Sequence, residues 1–248
     1  MKTLFRTSVL LMLILPLATL RAGWLDSILK PSKPASGNAT PSSTSGLGQA
    51  ELVGGLKEAL AKGVQQAVAQ LGKEGGFLNR LNVRIPIPEN LQMVERGLRA
   101  AGQNSLADNF VVTLNRAAEK AVPEAAGVFA DALSKMTLAD AQGILAGPND
   151  AATQFFRKSS EMRLREKFLP IVQKATAQVG VTAAYKNLLA KAGPAAQFFG
   201  GNAADLDAYV TDKALDGLFK MVAVEEQRIR ENPAARTTDL LKKVFGSR

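Results

Sequence analysis

The chain has no cysteine and no histidine. Without cysteine there is no disulfide framework, no thiol nucleophile and no zinc–thiolate site. Without histidine the commonest metal ligand and the commonest general base near neutral pH are both missing. Serine triads, His-based metal hydrolysis and His-ligated haem are therefore excluded. A membrane-spanning run is lacking as well. The longest apolar stretch, Ser8 to Leu20 (SVLLMLILPLATL), is interrupted by Pro16, and it falls short of the roughly 20 residues that a spanning helix needs. What remains is ordinary for a folded chain. Of 248 residues 46% are hydrophobic and 21% charged, which suits one or two domains with a sizeable core.

The short apolar run follows Lys2 and Arg6, the pattern of a cleaved export signal covering residues 1–22. Cleavage is expected after Ala22. No cysteine follows the run, so the mature chain is expected to be free in the periplasm, not lipid-anchored. Loss of Lys2, Arg6 and Arg21 with no acid would lower the formal charge from +9 to +6. Such a charge aids solubility and favours anionic surfaces without naming one.

Residues 23–46 read as a tether and linker. Residues 31–46 (PSKPASGNATPSSTSG) hold no large apolar side chain and cannot bury enough surface to fold. Ahead of them Trp24, Leu25, Ile28 and Leu29 form a small apolar cluster at helix-like spacing. It is either a remnant beside the signal or a peripheral contact for a membrane or partner through Trp24–Leu29.

From residue 47 to 248 the apolar spacing is helical almost throughout, and one all-α domain is expected. Leu52, Leu56, Leu60, Val64 and Val68 recur every four residues, ending near Gly72. VRIPIP (Val83–Pro88) must be extended, because a residue before proline is pushed out of the helical region. Helices are then expected from Glu89, from an N-cap at Ser105, after Pro123, and behind a Thr137–Asp140 capping box. A long helix follows, from about Ala151 to Val179 with a kink at Pro170. A short one follows Thr182, another runs from Asp205 to Asn232, and the last opens at Thr238. On a helical wheel the Asp205–Asn232 element is apolar on two sides: Leu206, Val210, Met221 and Val224 oppose Leu215, Leu218, Val222 and Ile229. Asp205, Asp212, Asp216, Lys220, Gln227 and Arg230 share one narrow polar arc. A helix apolar over most of its circumference is surrounded by others, which places this one at the centre of the domain.

The strings LGQAELVGGLKEAL, VRIPIPENL, LNRAAEKAVPEA, AATQFFRKSSEMRLREKFLPIV, YVTDKALDGLF and NPAARTTDLLKKVFG together resemble bacterial domain-of-unknown-function family 4197, over about residues 47–246 and in the same order. The resemblance implies an exported, all-helical envelope protein of Gram-negative-type bacteria. The resemblance also implies a lipoprotein cysteine in many relatives, which this chain lacks. The family supplies no reaction and no catalytic residues.

Four constellations invite a functional reading. Arg157, Lys158, Arg163, Arg165 and Lys167 scatter over more than half a helical circle, so they form a solvated surface and no nucleic-acid stripe; Glu161 and Arg165 are spaced as an i,i+4 pair. Asp205, Asp207, Asp212 and Asp216 extend about 16 Å along a helix, too far for one ion, and the first two suit a helix N-terminus. No metal, catalytic residue or cofactor is expected. VRIPIP remains. Its backbone groups need partners that a helix would have supplied, and Arg84, Ile85 and Ile87 are the candidate partner contacts, unless the segment is a rigid connection packed on the core. Phe198 and Phe199 beside Gly200-Gly201 form either a surface lip or core.

These features favour a non-catalytic binding or scaffold module over two alternatives: a carrier of a lipid or other apolar ligand, and an enzyme using carboxylates, Lys or Tyr. The partner is an unknown envelope protein or apolar ligand, not nucleic acid. Cell fractionation with N-terminal sequencing should return a chain beginning near Gly23 outside the cytoplasm; a full-length chain held in the inner membrane with Met1 retained would contradict the export reading.

Overall fold

The computed structural model describes residues 48–178, 190 and 203–231. The signal, the Trp24–Leu29 tether, the linker, the helix after Thr182, the Phe198–Phe199 pair and the helix from Thr238 lie outside the described residues. Those described form helices, turns and one non-helical segment, with no strand among them. The domain is all-α.

Helix α1 (Gln49–Leu71) carries the four-residue apolar repeat. Leu56, Leu60, Val64 and Leu71 are buried, with Ala59 and Ala67 between them letting neighbours approach. It stops at Gly72, whose N–H donates to the Val68 carbonyl at 2.8 Å. A 3₁₀ turn (Glu89–Leu91) leads into α2 (Gln92–Ala100). Next, α3 (Asn104–Ala121) begins one residue before the expected Ser105, with Gln103 as N-cap and no side-chain cap. The turn itself sets that start. Gly102 takes φ +73°, the Gln103 N–H donates to the Leu98 carbonyl at 2.8 Å, and Arg99 of α2 pairs with Asp108 of α3 at 2.9 Å.

Pro123 lies in the first positions of a 3₁₀ turn (Val122–Glu124), where its missing N–H costs nothing, and α4 (Ala125–Lys135) follows. Thr137 and Asp140 form the expected capping box at the head of α5 (Leu138–Ala146). Helix α6 (Ala151–Gln178) continues past Pro170 for about two more turns. Helix α7 (Ala203–Glu231) contacts α1, α3 and α6, while α6 meets α3, α4 and α5 as well, so α6 and α7 share the centre of the packing. No described helix is long and apolar enough to cross a membrane.

Both expected apolar sides of α7 are buried through Leu206, Val210, Leu215, Leu218, Met221, Val222 and Ile229. Val224 departs from the wheel and is 47% exposed. Near it α7 buries Glu225 and Glu226 instead, because Gln70 of α1 offers a donor to the first and the head of α6 offers N–H donors to the second. Where α4, α6 and α7 meet, Phe129 packs edge-on against Phe156 and Phe219, with centroids 4.8 and 6.0 Å away.

At Gly217 two distant parts of the chain come close together. A Cβ there would sit 2.6 Å from the Phe77 ring and 3.4 Å from Val83, so the bare backbone of α7 is the surface on which the Phe77–Val83 turn rests. Gly217→Val should therefore cost about 1–3 kcal/mol through overpacking. Gly127→Ala, on the exposed side of α4 with nothing near its added methyl, should gain about 0.5–1 kcal/mol. Denaturant titration of the two variants reads both signs; a neutral Gly217→Val would refute the close packing.

Candidate functional site

Residues 84–88 belong to neither helix nor strand, and Pro88 sits at φ −54°, ψ 146°. The segment alternates. Val83, Ile85 and Ile87 point into the core, the isoleucines 1% and 3% exposed, while Arg84 and Pro86 face outward. Of the three sequence candidates, only Arg84 presents its side chain at the surface.

The backbone partners of this segment come from α3 and α7. The Asn115 amide, fully buried, treats Ile85 as a neighbouring strand would: its Oδ1 accepts the Ile85 N–H at 2.8 Å and its Nδ2 donates to the Ile85 carbonyl at 2.9 Å. The same Nδ2 donates to the Val111 carbonyl at 2.8 Å. Tyr209 of α7 donates its hydroxyl to the Pro86 carbonyl at 3.1 Å. Burial, and secondarily the negative charge of Glu89, push the Tyr209 phenol up to about 12, so it stays a donor at any ordinary pH. Lys213, one turn on, lies over the Tyr209 ring at 5.6 Å.

A second polar constellation, not foreseen from sequence, joins α5, α6 and α7. Glu226 is 4% exposed. Its Oε1 accepts the Ala152 N–H at 2.9 Å, and its Oε2 accepts the Thr153 N–H at 2.8 Å and the Thr153 hydroxyl at 2.9 Å. The Ala151 N–H donates to the Pro148 carbonyl and the Gln154 N–H to the Asp150 carbonyl. Every early N–H of α6 thus has an acceptor, and a carboxylate sits at the positive end of the helix. Arg230 pairs with Glu226 at 2.9 Å and reaches on to the Ile144 carbonyl in the last turn of α5, also at 2.9 Å.

Two further acids are buried in structural roles. Glu119 accepts the N–H groups of Phe77 and Leu78 at 3.1 and 3.4 Å. Glu225 accepts the Gln70 side-chain amide at 2.9 Å and lies 3.3 Å from Arg228.

The basic stretch of α6 is largely engaged. Arg157 stacks over Phe219 at 4.4 Å and pairs with Glu161 and Asp216; Arg163 pairs with Asp131 at 2.8 Å; Arg165 pairs with Asp212. The expected Glu161–Arg165 pair is replaced, because α7 presents Asp212 to Arg165 across the helix contact and leaves Glu161 to Arg157. Asp207 accepts the Thr176 hydroxyl at 2.8 Å, which ties α7 to α6. Asp207, Asp212 and Asp216 therefore point to separate partners, and among the described residues no acidic cluster is suited to a metal.

A groove of about 240 Å³ opens beside α4 and α6, lined by Val128, Ala132 and Phe155 with Asp131, Lys135, Asp140 and Arg163. Its two carboxylates are occupied. Asp131 pairs with Arg163, and the Thr137 hydroxyl, followed by the Thr137 N–H, holds Asp140 below the usual carboxylate range.

The two constellations predict opposite outcomes at their most prominent residues. Glu226→Ala leaves the head of α6 and Arg230 without their acceptor, and should cost about 3–5 kcal/mol. At about 2–4 °C per kcal/mol for a domain of this size, the melting temperature should fall by roughly 10 °C. Arg84→Ser should change stability by less than about 0.5 kcal/mol. Thermal melts of both variants check this, and equal losses would refute the assignment.

The family model described as protein of unknown function (DUF4197) matches residues 46–246. No curated protein and no solved structure matches the chain. The chain belongs to the DUF4197 family.

Proposed function

We propose that this DUF4197 member is an exported, periplasmic, non-catalytic binding or scaffold module of the bacterial envelope. The observation that carries the reading is the employment of its buried ionisable groups. Glu119 and Glu226 hold backbone N–H groups, Glu225 holds Gln70, and Arg230 holds Glu226 and Ile144. These groups join helices to one another or to the Phe77 turn, and none lines the groove. An acid–base catalyst needs a titratable group poised near its substrate, whereas the acids here anchor the scaffold.

The groove supports the same reading over an apolar carrier. It is open, and four of its lining residues are charged, a poor lining for an apolar ligand. Binding needs only a rigid surface with apolar and polar contacts, and the outward edge of the Val83–Pro88 segment supplies one.

Immobilised protein should retain a defined envelope component, and Arg84→Ser should reduce its recovery while leaving the circular dichroism spectrum unchanged. In the same preparations, ester, phosphoester, peptide and glycoside substrates should turn over no faster than in buffer. Robust turnover abolished by a point substitution in the protein would overturn the module reading.

A further inference from the structure

Leu81 is 91% exposed, the most exposed of the large apolar side chains described. It stands at the tip of a turn whose backbone is tied down. The Arg80 carbonyl accepts the N–H groups of Val83 and Arg84 at 3.1 and 2.8 Å, and the Arg80 N–H donates to the Phe77 carbonyl at 3.1 Å. Phe77 and Val83 are buried against Gly217. The fold thus holds a leucine out in water on a rigid support.

Arg80 and Arg84 bracket it, and among the described residues neither has an acidic partner. Lys213 extends the same basic edge, since its neighbour Tyr209 bonds Pro86, two residues from Arg84. Glu89 is the acid that faces Tyr209 here, and Glu74 nearby in sequence is taken by Arg116.

We propose that the Arg80–Arg84 turn docks on an anionic phospholipid surface, with Leu81 entering the interface and Arg80, Arg84 and Lys213 meeting the phosphates. This rests on the binding-module reading and names the surface bound. A convex apolar tip needs a pocket in a protein partner, whereas a fluid bilayer interface receives it without one. Arginine and lysine suit the rim, because their stems lie along apolar surface while their charges stay at the headgroups.

The absence of cysteine permits a direct test. Leu81→Cys in the purified protein provides one thiol for a polarity-sensitive dye, and Met162→Cys, exposed on α6, provides the comparison. With vesicles of phosphatidylcholine and phosphatidylglycerol, the dye at position 81 should brighten several-fold and shift to the blue. It should not respond to phosphatidylcholine alone, and the response should weaken as salt is raised. The dye at position 162 should not respond. Adding Arg84→Glu and Lys213→Glu should raise the lipid concentration needed for the position-81 response by at least about thirtyfold, given about 1 kcal/mol for each basic residue near an anionic surface.

A silent position 81, even where the protein sediments with vesicles through another segment, overturns the proposal. So does an equal response at position 162, or an undiminished one in the charge-reversed variant. A response to polyglutamate but not to vesicles also overturns it and assigns the edge to an acidic protein. Any of these leaves the module reading standing, since that reading fails on turnover and not on vesicle binding.

Discussion

The buried pair of Glu226 and Arg230 is the contact on which the arrangement of α5, α6 and α7 depends. One carboxylate closes the head of α6 and one guanidinium reaches the tail of α5, so each helix end meets a charge of the sign its dipole favours. The two residues are one turn apart on α7 and bond each other. The Gly147–Asp150 turn between α5 and α6 is thereby fixed from a third helix. A buried ion pair carries a desolvation cost, and replacing it whole by apolar residues is often neutral. Here that exchange would expose two helix ends as well, so the pair specifies the corner more than it adds raw stability.

The same device recurs with different chemistry. Glu119 of α3 holds the start of the Phe77 turn, and Asn115, one turn earlier on α3, holds the Ile85 backbone. Helices α3 and α7 thus supply buried polar groups to neighbouring stretches that cannot satisfy their own backbone. This is what a mostly helical chain needs wherever it leaves the helix inside its core, because an unpaired buried amide costs about 1–3 kcal/mol. Apolar contact does the rest of the packing, through the phenylalanine cluster and the bare backbone at Gly217.

Much of this architecture was readable in the sequence. The four-residue repeat of α1, the Thr137–Asp140 box, the turn at Pro123 and the two apolar sides of α7 are local signals. Each expresses a 3.6-residue period or a side chain bonding its own helix. The roles of Glu226 and Asn115 were not readable, because their partners lie 73–74 and 30 residues away and nothing in local periodicity marks them. Arg230 was placed on the polar arc of α7, yet the head of α6 draws its end of that helix inward. VRIPIP illustrates both cases. Its prolines announced a break from helix, and the segment stood either as a partner contact or as a rigid connection packed on the core. That Ile85 and Ile87 turn toward the core, leaving Arg84 outside, depends on Asn115.

Asn115 also sets what the segment can do. By bonding both backbone groups of Ile85 it fixes the register of the strip, and a shift by one residue would exchange the inward and outward sets. With Ile85 and Ile87 held inward, Arg84 and Pro86 have no alternative but the surface, and Tyr209 locks the Pro86 carbonyl from the other side. The outward edge is therefore positioned by core contacts and not by its own sequence. An edge held this way loses little freedom on meeting a partner, so a modest set of contacts can suffice for recognition. The polar groups buried beneath the segment act on the surface through that rigidity, linking the economy of the core to the binding role proposed for the edge.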